Sequence, residues 1–196
     1  RQMCIRDRVS TSPLPFNRFL PTHPMAGREV GGAESARADL FQGRPWIIDT
    51  HGVDGDVVEK ASELIELLGG QQIDLDSSEH DKAVALVSHL PQLVSSLLAK
   101  QLNGGDERWL DLAGAGLRDT TRIAGSDSKL WRKIITANSQ ALTPLLLALQ
   151  NDLNSLISSI EDENSVAELI NEGQKGRARI PGKHGGKALS LIHISE

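Results

Sequence analysis

Five consecutive residues, Arg118-Asp119-Thr120-Thr121-Arg122, put two guanidinium groups, a carboxylate and two hydroxyls side by side. Arg118 and Arg122 are four apart, so on a helix they share a face. Two planar forks on one face suit an anion that carries one or more carboxylates. Asp119 points elsewhere and is placed to orient one of the arginines or a neighbouring group. The competing reading is a helix–turn–helix corner tied by Arg–Asp pairs, and these five residues alone leave both open. Ser126 and Asp127 follow as the cap of a further helix, with Trp131 in its first turns.

Two histidines occupy constrained backbone. His23 lies between Pro21 and Pro24, which excludes a helix and leaves an extended or turn conformation. Gly27, Gly31 and Gly32 let the following chain bend and approach a ligand closely. A histidine held on such a segment is a candidate acid, base or hydrogen-bond donor; the plainer alternative is a loop histidine bonded to a backbone carbonyl. His89 stands two residues before Pro91. That proline removes the amide bond to residue 87 and predicts a kink, where His89 has a freed carbonyl or a pocket to use. A partly buried helix histidine is the plainer alternative there.

These side chains need elements to position them. Residues 9–18 read as loop, and Phe19-Leu20 as the end of a strand. Ala33–Asp39 is weakly helical, and Leu40–Pro45 is a turn. Trp46-Ile47-Ile48-Asp49 reads as a short buried strand for which this chain hardly supplies a sheet partner. Val57, Val58, Ala61, Leu64, Ile65 and Leu68 predict a helix that Gly69-Gly70 ends. Ile73-Asp74-Leu75 is an extended link or a last strand. Ser77 or Ser78 caps the next helix, which runs through Leu98. After Asp127 a long helix extends to Ile160, kinked or divided at Pro144. Its wide apolar face from Leu142 to Ile160 calls for burial on several sides, which a partner subunit would provide. Glu163–Lys175 is a last helix, and Gly176–Gly186 a basic, Gly-rich tail.

Bulk properties narrow the function classes. The 196 residues are 39% apolar and 24% charged, as in an ordinary globular protein. A net charge of −5 argues against general nucleic-acid binding. No purely apolar run approaches the ~20 residues that span a bilayer, which argues against a membrane partner. Cys4 is the single cysteine, so there is neither an intrachain disulfide nor a cysteine-based metal site, and no metal is expected. A cytoplasmic setting fits.

The two ends are related in an unusual way. Met3–Arg8 can be encoded by a string whose reverse complement encodes Leu189–Ile194. This resembles read-through of one inverted DNA tag. Residues 1–8 and 189–196 are therefore expected to be foreign, with the native gene cut at both sides.

Five motifs then fall in a familiar order: Thr22-His-Pro-Met-Ala-Gly27, Leu40-Phe-Gln-Gly-Arg-Pro-Trp46, His80-Asp81, Val87-Ser-His-Leu-Pro91 and Gly116–Trp131. Together, over roughly residues 19–172, they resemble prephenate dehydrogenases and the related arogenate dehydrogenases. The tail resembles the linker of actinobacterial-type members, which leads to an ACT-type regulatory domain. The resemblance implies a mainly α fold, a helical dimerisation domain preceded by a one- or two-strand remnant of a Rossmann-type α/β domain. The division expected is 9–53 for the remnant of the nicotinamide-binding domain, 54–175 for the helical substrate-binding and dimerisation domain, and 176–188 for the linker. The Gly-rich fingerprint G-x-G-x-x-G does not occur, so the cofactor-binding residues are missing.

The implied reaction is NAD- or NADP-dependent oxidation of prephenate with loss of its ring carboxylate, giving 4-hydroxyphenylpyruvate for tyrosine biosynthesis. Hydride leaves the ring carbon bearing the hydroxyl, carbon dioxide departs, and the ring becomes aromatic. His23 matches the catalytic histidine that bonds the substrate hydroxyl and helps remove its proton. Arg122 matches the arginine that grips a carboxylate, His89 a second active-site histidine, and Asp119 an acid that supports the pocket. Arg118 stands where the family often has Lys and adds positive potential. Glu29 matches an acid implicated in gating. Its neighbour Arg28 replaces a family Thr, which puts any hydroxyl role there in doubt. Trp131 matches a tryptophan that approaches the partner's site across a homodimer. Without the cofactor fold the polypeptide is expected to be inactive by itself. Two other readings compete: a helical dimerisation module without chemistry, and a hydroxy-acid dehydrogenase of similar plan. The latter needs a catalytic Lys on the central helix, where this sequence has His89 beside Pro91.

Overall fold

The computed structural model describes residue 9 and residues 15–27 and 36–182. A three-stranded sheet stands at one end, and helices make up most of the rest. Strand β1 is Thr22–Pro24, β2 is Pro45–Ile48 and β3 is Gln71–Asp74, in the order β1-β2-β3. β2 pairs antiparallel with β1, setting His23 opposite Ile47, and parallel with β3, setting Ile47 opposite Ile73. β2, for which the sequence hardly supplies a partner, thus has two, one of them at the segment read as an extended link or last strand, and the sheet has three strands where one or two were expected. β2 is the central strand, and its Ile47 and Ile48 are buried. The partners were hard to read because both are short and polar. Thr22-His23-Pro24 carries two prolines nearby, and Gln71–Asp74 is exposed throughout.

Helix α1, Gly55–Leu67, links β2 to β3 and buries Ile65. Its end is closed by Gly69 at φ +70°, with the Gly69 amide donating to the Glu66 carbonyl and the Gly70 amide to Ile65. This left-handed residue after the last turn satisfies carbonyls that would otherwise be orphaned. A parallel strand pair needs such a crossover, so α1 belongs with the sheet. The expected division at residues 53/54 therefore cuts through a β–α–β unit.

Helix α2, Ser77–Val84, starts at Asp76 rather than at a serine: the Asp76 carboxylate accepts from the amides of Ser78 and Glu79 at 2.8 and 2.9 Å. The Ser77 amide and hydroxyl instead donate to Asp49, a buried carboxylate at the end of β2. Asp49 also accepts from the His51 amide. This pins the start of α2 to the sheet.

α2 passes through a π-helical turn, Ala85–His89, into α3, Leu90–Gln101. The wide turn falls one turn ahead of Pro91, where the missing amide and the ring leave the preceding carbonyls without their usual partners. The whole helical run, Ser77–Gly104, has a mean hydropathy of 1.2 over its best window, high enough for a membrane span by length and composition. Charged and polar residues interrupt it, which is why it did not stand out as an apolar run. Its buried His80, Asp81, His89, Gln92 and Ser95 make hydrogen bonds inside the protein, as in a core helix.

Helices α4 (Glu107–Leu110) and α5 (Ala115–Thr121) are followed by a 3₁₀ turn, Arg122–Gly125. Helix α6, Ser128–Ala137, is capped by Asp127, whose carboxylate accepts from the Lys129 amide. The predicted long helix is divided, but at Asn138 (φ −117°, ψ 25°), and Pro144 lies inside α7, Ser139–Ser158. The Asn138 side chain donates to the Asp81 carbonyl at 2.8 Å, which holds the break against α2. Leu142 of α7 packs into the core with Val84 and Ala85. Helix α8, Glu163–Ala178, runs three residues into the segment expected to be linker. Of the weak helix expected over 33–39, residues 33–35 lie outside the described residues, residues 36–37 are irregular and a turn begins at Ala38. Phe19 and Leu20 lie outside any strand, after a 3₁₀ turn at Phe16–Arg18.

Candidate active site

β1 delivers His23 to the buried start of α2. The His23 Nδ1 lies 2.8 Å from the Nε2 of His80, and the His80 Nδ1 lies 2.8 Å from the Asp81 Oδ1. The His23 and His80 rings meet edge to face, with centroids 5.1 Å apart. His80 is 3% exposed and Asp81 8%, so the chain His23–His80–Asp81 leads from a half-buried imidazole into the core. Burial lowers the His23 pKa below its ordinary value, and the charge of His80 acts in the same direction. For Asp81, burial works against the carboxylate. Burial is the largest single effect, but the hydrogen bond from His80 and nearby positive charge together outweigh it, and the pKa is lowered.

His89, the last residue of the π turn, is buried beside this chain. The Asn138 Nδ2 lies 3.1 Å from its Nδ1. Because that Nδ2 also donates to the Asp81 carbonyl, its identity as the amide nitrogen is set by a group that only accepts. His89 Nδ1 is therefore an acceptor, and its proton sits on Nε2. Desolvation lowers the His89 pKa too. The Trp131 ring stands nearly perpendicular to His89 at 6.2 Å between centroids.

The Arg-rich corner is held from below. The Ser95 hydroxyl donates to the Thr120 carbonyl at 2.8 Å and the Gln92 amide to the Ile123 carbonyl at 2.9 Å, both from α3. Thr120 and Thr121 bond back to the carbonyls of Gly116 and Leu117. Arg118, Asp119 and Arg122 are thereby set on the solvent side of a fixed corner, all three exposed. A cavity of about 300 Å³ between α3 and α6 is walled by Gln92, Ser126, Trp131 and Arg132. It includes Trp131 but neither His23 nor His89.

Of the residues singled out from sequence, His23 and His89 enter one buried electrostatic cluster, and Trp131 borders it. Arg118, Asp119 and Arg122 form the separate exposed corner. Glu29 lies outside the described residues. Sequence reasoning assigned no role to His80, Asp81 or Asn138. The adjacency of His80 and Asp81 was visible, but that it faces His23 follows only from the fold. Asn138 carried no local signal beyond being a polar residue within an apolar helical pattern.

A three-stranded sheet with one β–α–β crossover, followed by helices that carry a buried histidine cluster, is the class of protein that the fold and the site define. The comparisons with known proteins agree. The family model for the prephenate dehydrogenase nucleotide-binding domain matches residues 5–74, and that for the prephenate dehydrogenase dimerization domain matches residues 76–172. The chain belongs to the prephenate dehydrogenase family. It is 32% identical over 176 residues to the probable prephenate dehydrogenase NovF of Streptomyces niveus, covering 83% of this chain and 49% of that protein. Among solved structures it resembles the arogenate dehydrogenase of Synechocystis, with 28% identity, a TM-score of 0.72, and coverage of 82% of this chain and 60% of that one. It also resembles the A. aeolicus prephenate dehydrogenase bound to hydroxyphenyl propionate and NAD+, with 29% identity, a TM-score of 0.72, and coverage of 83% and 59%. The chain spans about half the length of the curated relatives it matches.

Proposed function

We propose that this chain is the substrate-binding and dimerising part of a prephenate dehydrogenase, with arogenate as the alternative substrate. The observation that carries the proposal is the half-buried His23 imidazole, bonded to His80 with its pKa lowered. Such a histidine is neutral at neutral pH and available as a base. As hydride leaves the ring carbon, positive charge develops toward the hydroxyl oxygen, and His23 takes up its proton. The carbon–carboxylate bond breaks, and its electron pair completes the aromatic ring. The His89 Nε2–H is a donor for substrate oxygen, and Arg122 is the cation for a substrate carboxylate, with Asp119 in support and Arg118 adding field. Glu29 and Trp131 keep their proposed places at the gate and at the partner subunit.

For the cofactor, NAD or NADP, the turn after β2 is not a phosphate cradle. The turn from β2 to α1 reads Asp49-Thr50-His51-Gly52-Val53-Asp54, with one glycine, and the Asp49 carboxylate occupies the amides that face it. A buried carboxylate there opposes a pyrophosphate. The chain alone is therefore proposed to be inactive. The test joins residues 9–188 to a nucleotide-binding domain of the family and follows prephenate-dependent NAD(P)H formation. His23→Asn abolishes it and Arg122→Ala raises KM sharply. Unchanged rates in both variants overturn the assignment.

A further inference from the structure

We propose that His80, backed by Asp81, is a positioning residue that holds His23 as the tautomer with its proton on Nδ1 and its lone pair on Nε2. The inference deepens the proposed function and rests on it. A carboxylate only accepts, so at 2.8 Å from Asp81 Oδ1 the His80 Nδ1 carries a proton. With that single ring proton, His80 has its lone pair on Nε2. The His23 Nδ1, 2.8 Å away, must donate to it. That leaves the His23 Nε2 as the basic nitrogen, the one turned to a substrate hydroxyl. Asn138 imposes the opposite tautomer on His89, so the cluster presents one acceptor and one donor.

When His23 Nε2 takes the hydroxyl proton, its ring becomes cationic, and the Nδ1 proton stays bonded to His80. His80 in turn stays bonded to the Asp81 carboxylate. The new positive charge is stabilised through a chain that ends on a fixed negative one, and the proton returns to the phenolate oxygen of the product. No atom is gained or lost in the cycle. Among the described residues, the titratable groups facing His23 are His80 and Asp81 of α2 and His89 of the π turn. The path was closed to sequence reading because β1 and α2 are separated by more than fifty residues of chain.

Long-range proton–nitrogen spectra of the histidine side chains in the 196-residue chain test this without activity. The result expected is a protonated Nδ1 and a bare Nε2 on His23. His80→Gln, whose amide oxygen replaces the acceptor, keeps that pattern, and His80→Leu loses it. A His23 with its proton on Nε2 in the unsubstituted chain overturns the inference whether or not the variants fold. In the enzyme completed with a nucleotide-binding domain, His80→Leu lowers kcat about 10²-fold, the low end of what a positioned base contributes. KM changes little, the acidic limb of the kcat/KM profile moves, and His80→Gln restores most of the rate. An equal loss in the Gln and Leu variants, with an unmoved pH profile, reduces His80 to a packing role and overturns the inference. Activity that survives His23→Asn instead removes the functional reading itself, whatever the tautomer.

Discussion

At the scale of the residue, the site depends on short polar contacts that are buried rather than on the exposed charges most visible in sequence. Asn138 shows how. It breaks a helix, bonds the Asp81 carbonyl and fixes His89, all with one amide nitrogen. Asn138→Ala leaves the buried His89 Nδ1 without its donor, while the Asp81 carbonyl keeps the Ala85 amide, and is expected to cost about 2 kcal/mol, measured by denaturant unfolding of the chain. The lowered pKa values of His23 and His89 make a second prediction. Below their ordinary value of 6.5 the unfolded chain binds more protons than the folded one. Stability is therefore constant above that pH from these groups and falls as pH drops through and below 6.5. The Asp81 contribution is lost only at more acid pH, below 3.8. A thermal melt series is expected to show the first loss near pH 6.5, and His23→Asn together with His89→Asn to flatten it.

At the scale of the element, the π turn and the corner are the devices that aim side chains. The π turn lets one helical run pass Pro91 while keeping His89 buried. The corner is an irregular junction of α5 and a 3₁₀ turn. The polar face of α3 holds it, with Ser95 filling the Thr120 carbonyl near the end of α5 and Gln92 adding a donor to the Ile123 carbonyl, which also accepts from Ser126. Ser95→Ala and Gln92→Ala are each expected to cost about 1 kcal/mol and to raise hydrogen exchange across residues 115–125. Exchange confined to other elements would contradict that role. The identity of the capping residues was legible for Asp127 but not for Asp76. There Ser77 and Ser78 are equally good caps by type, but Asp49 engages the Ser77 hydroxyl and Asp76 takes the cap.

At the scale of the molecule, the helices are left unfinished on one side. On α7, Leu147, Leu153 and Ile157 are all more than half exposed, and Ile160 and Ile170 beyond them are similar. Contiguous apolar surface of this kind marks an interface, and the family model that matches here is a dimerization domain. Leu153→Glu with Ile157→Glu is expected to convert a dimer to a monomer in sedimentation, with little change in the melting of the lone chain because neither residue enters its core. An unchanged sedimentation coefficient would remove α7 from the interface.

The order of motifs from His23 to Trp131, the helical periodicity and the caps are local properties, so the sequence by itself determined the family, the mainly helical fold and the identity of His23, Arg122 and His89 as candidates. Where chemistry depends on residues distant in the chain, only the tertiary structure decided. β2 gained two partners too short and polar for their pairing with it to be read from sequence. The long helix broke at an asparagine rather than at a proline, because a hydrogen bond to another helix outweighed local propensity. And the histidine opposite His23 was placed there by a strand register and by a carboxylate at the end of β2, neither of which has a signature in neighbouring residues.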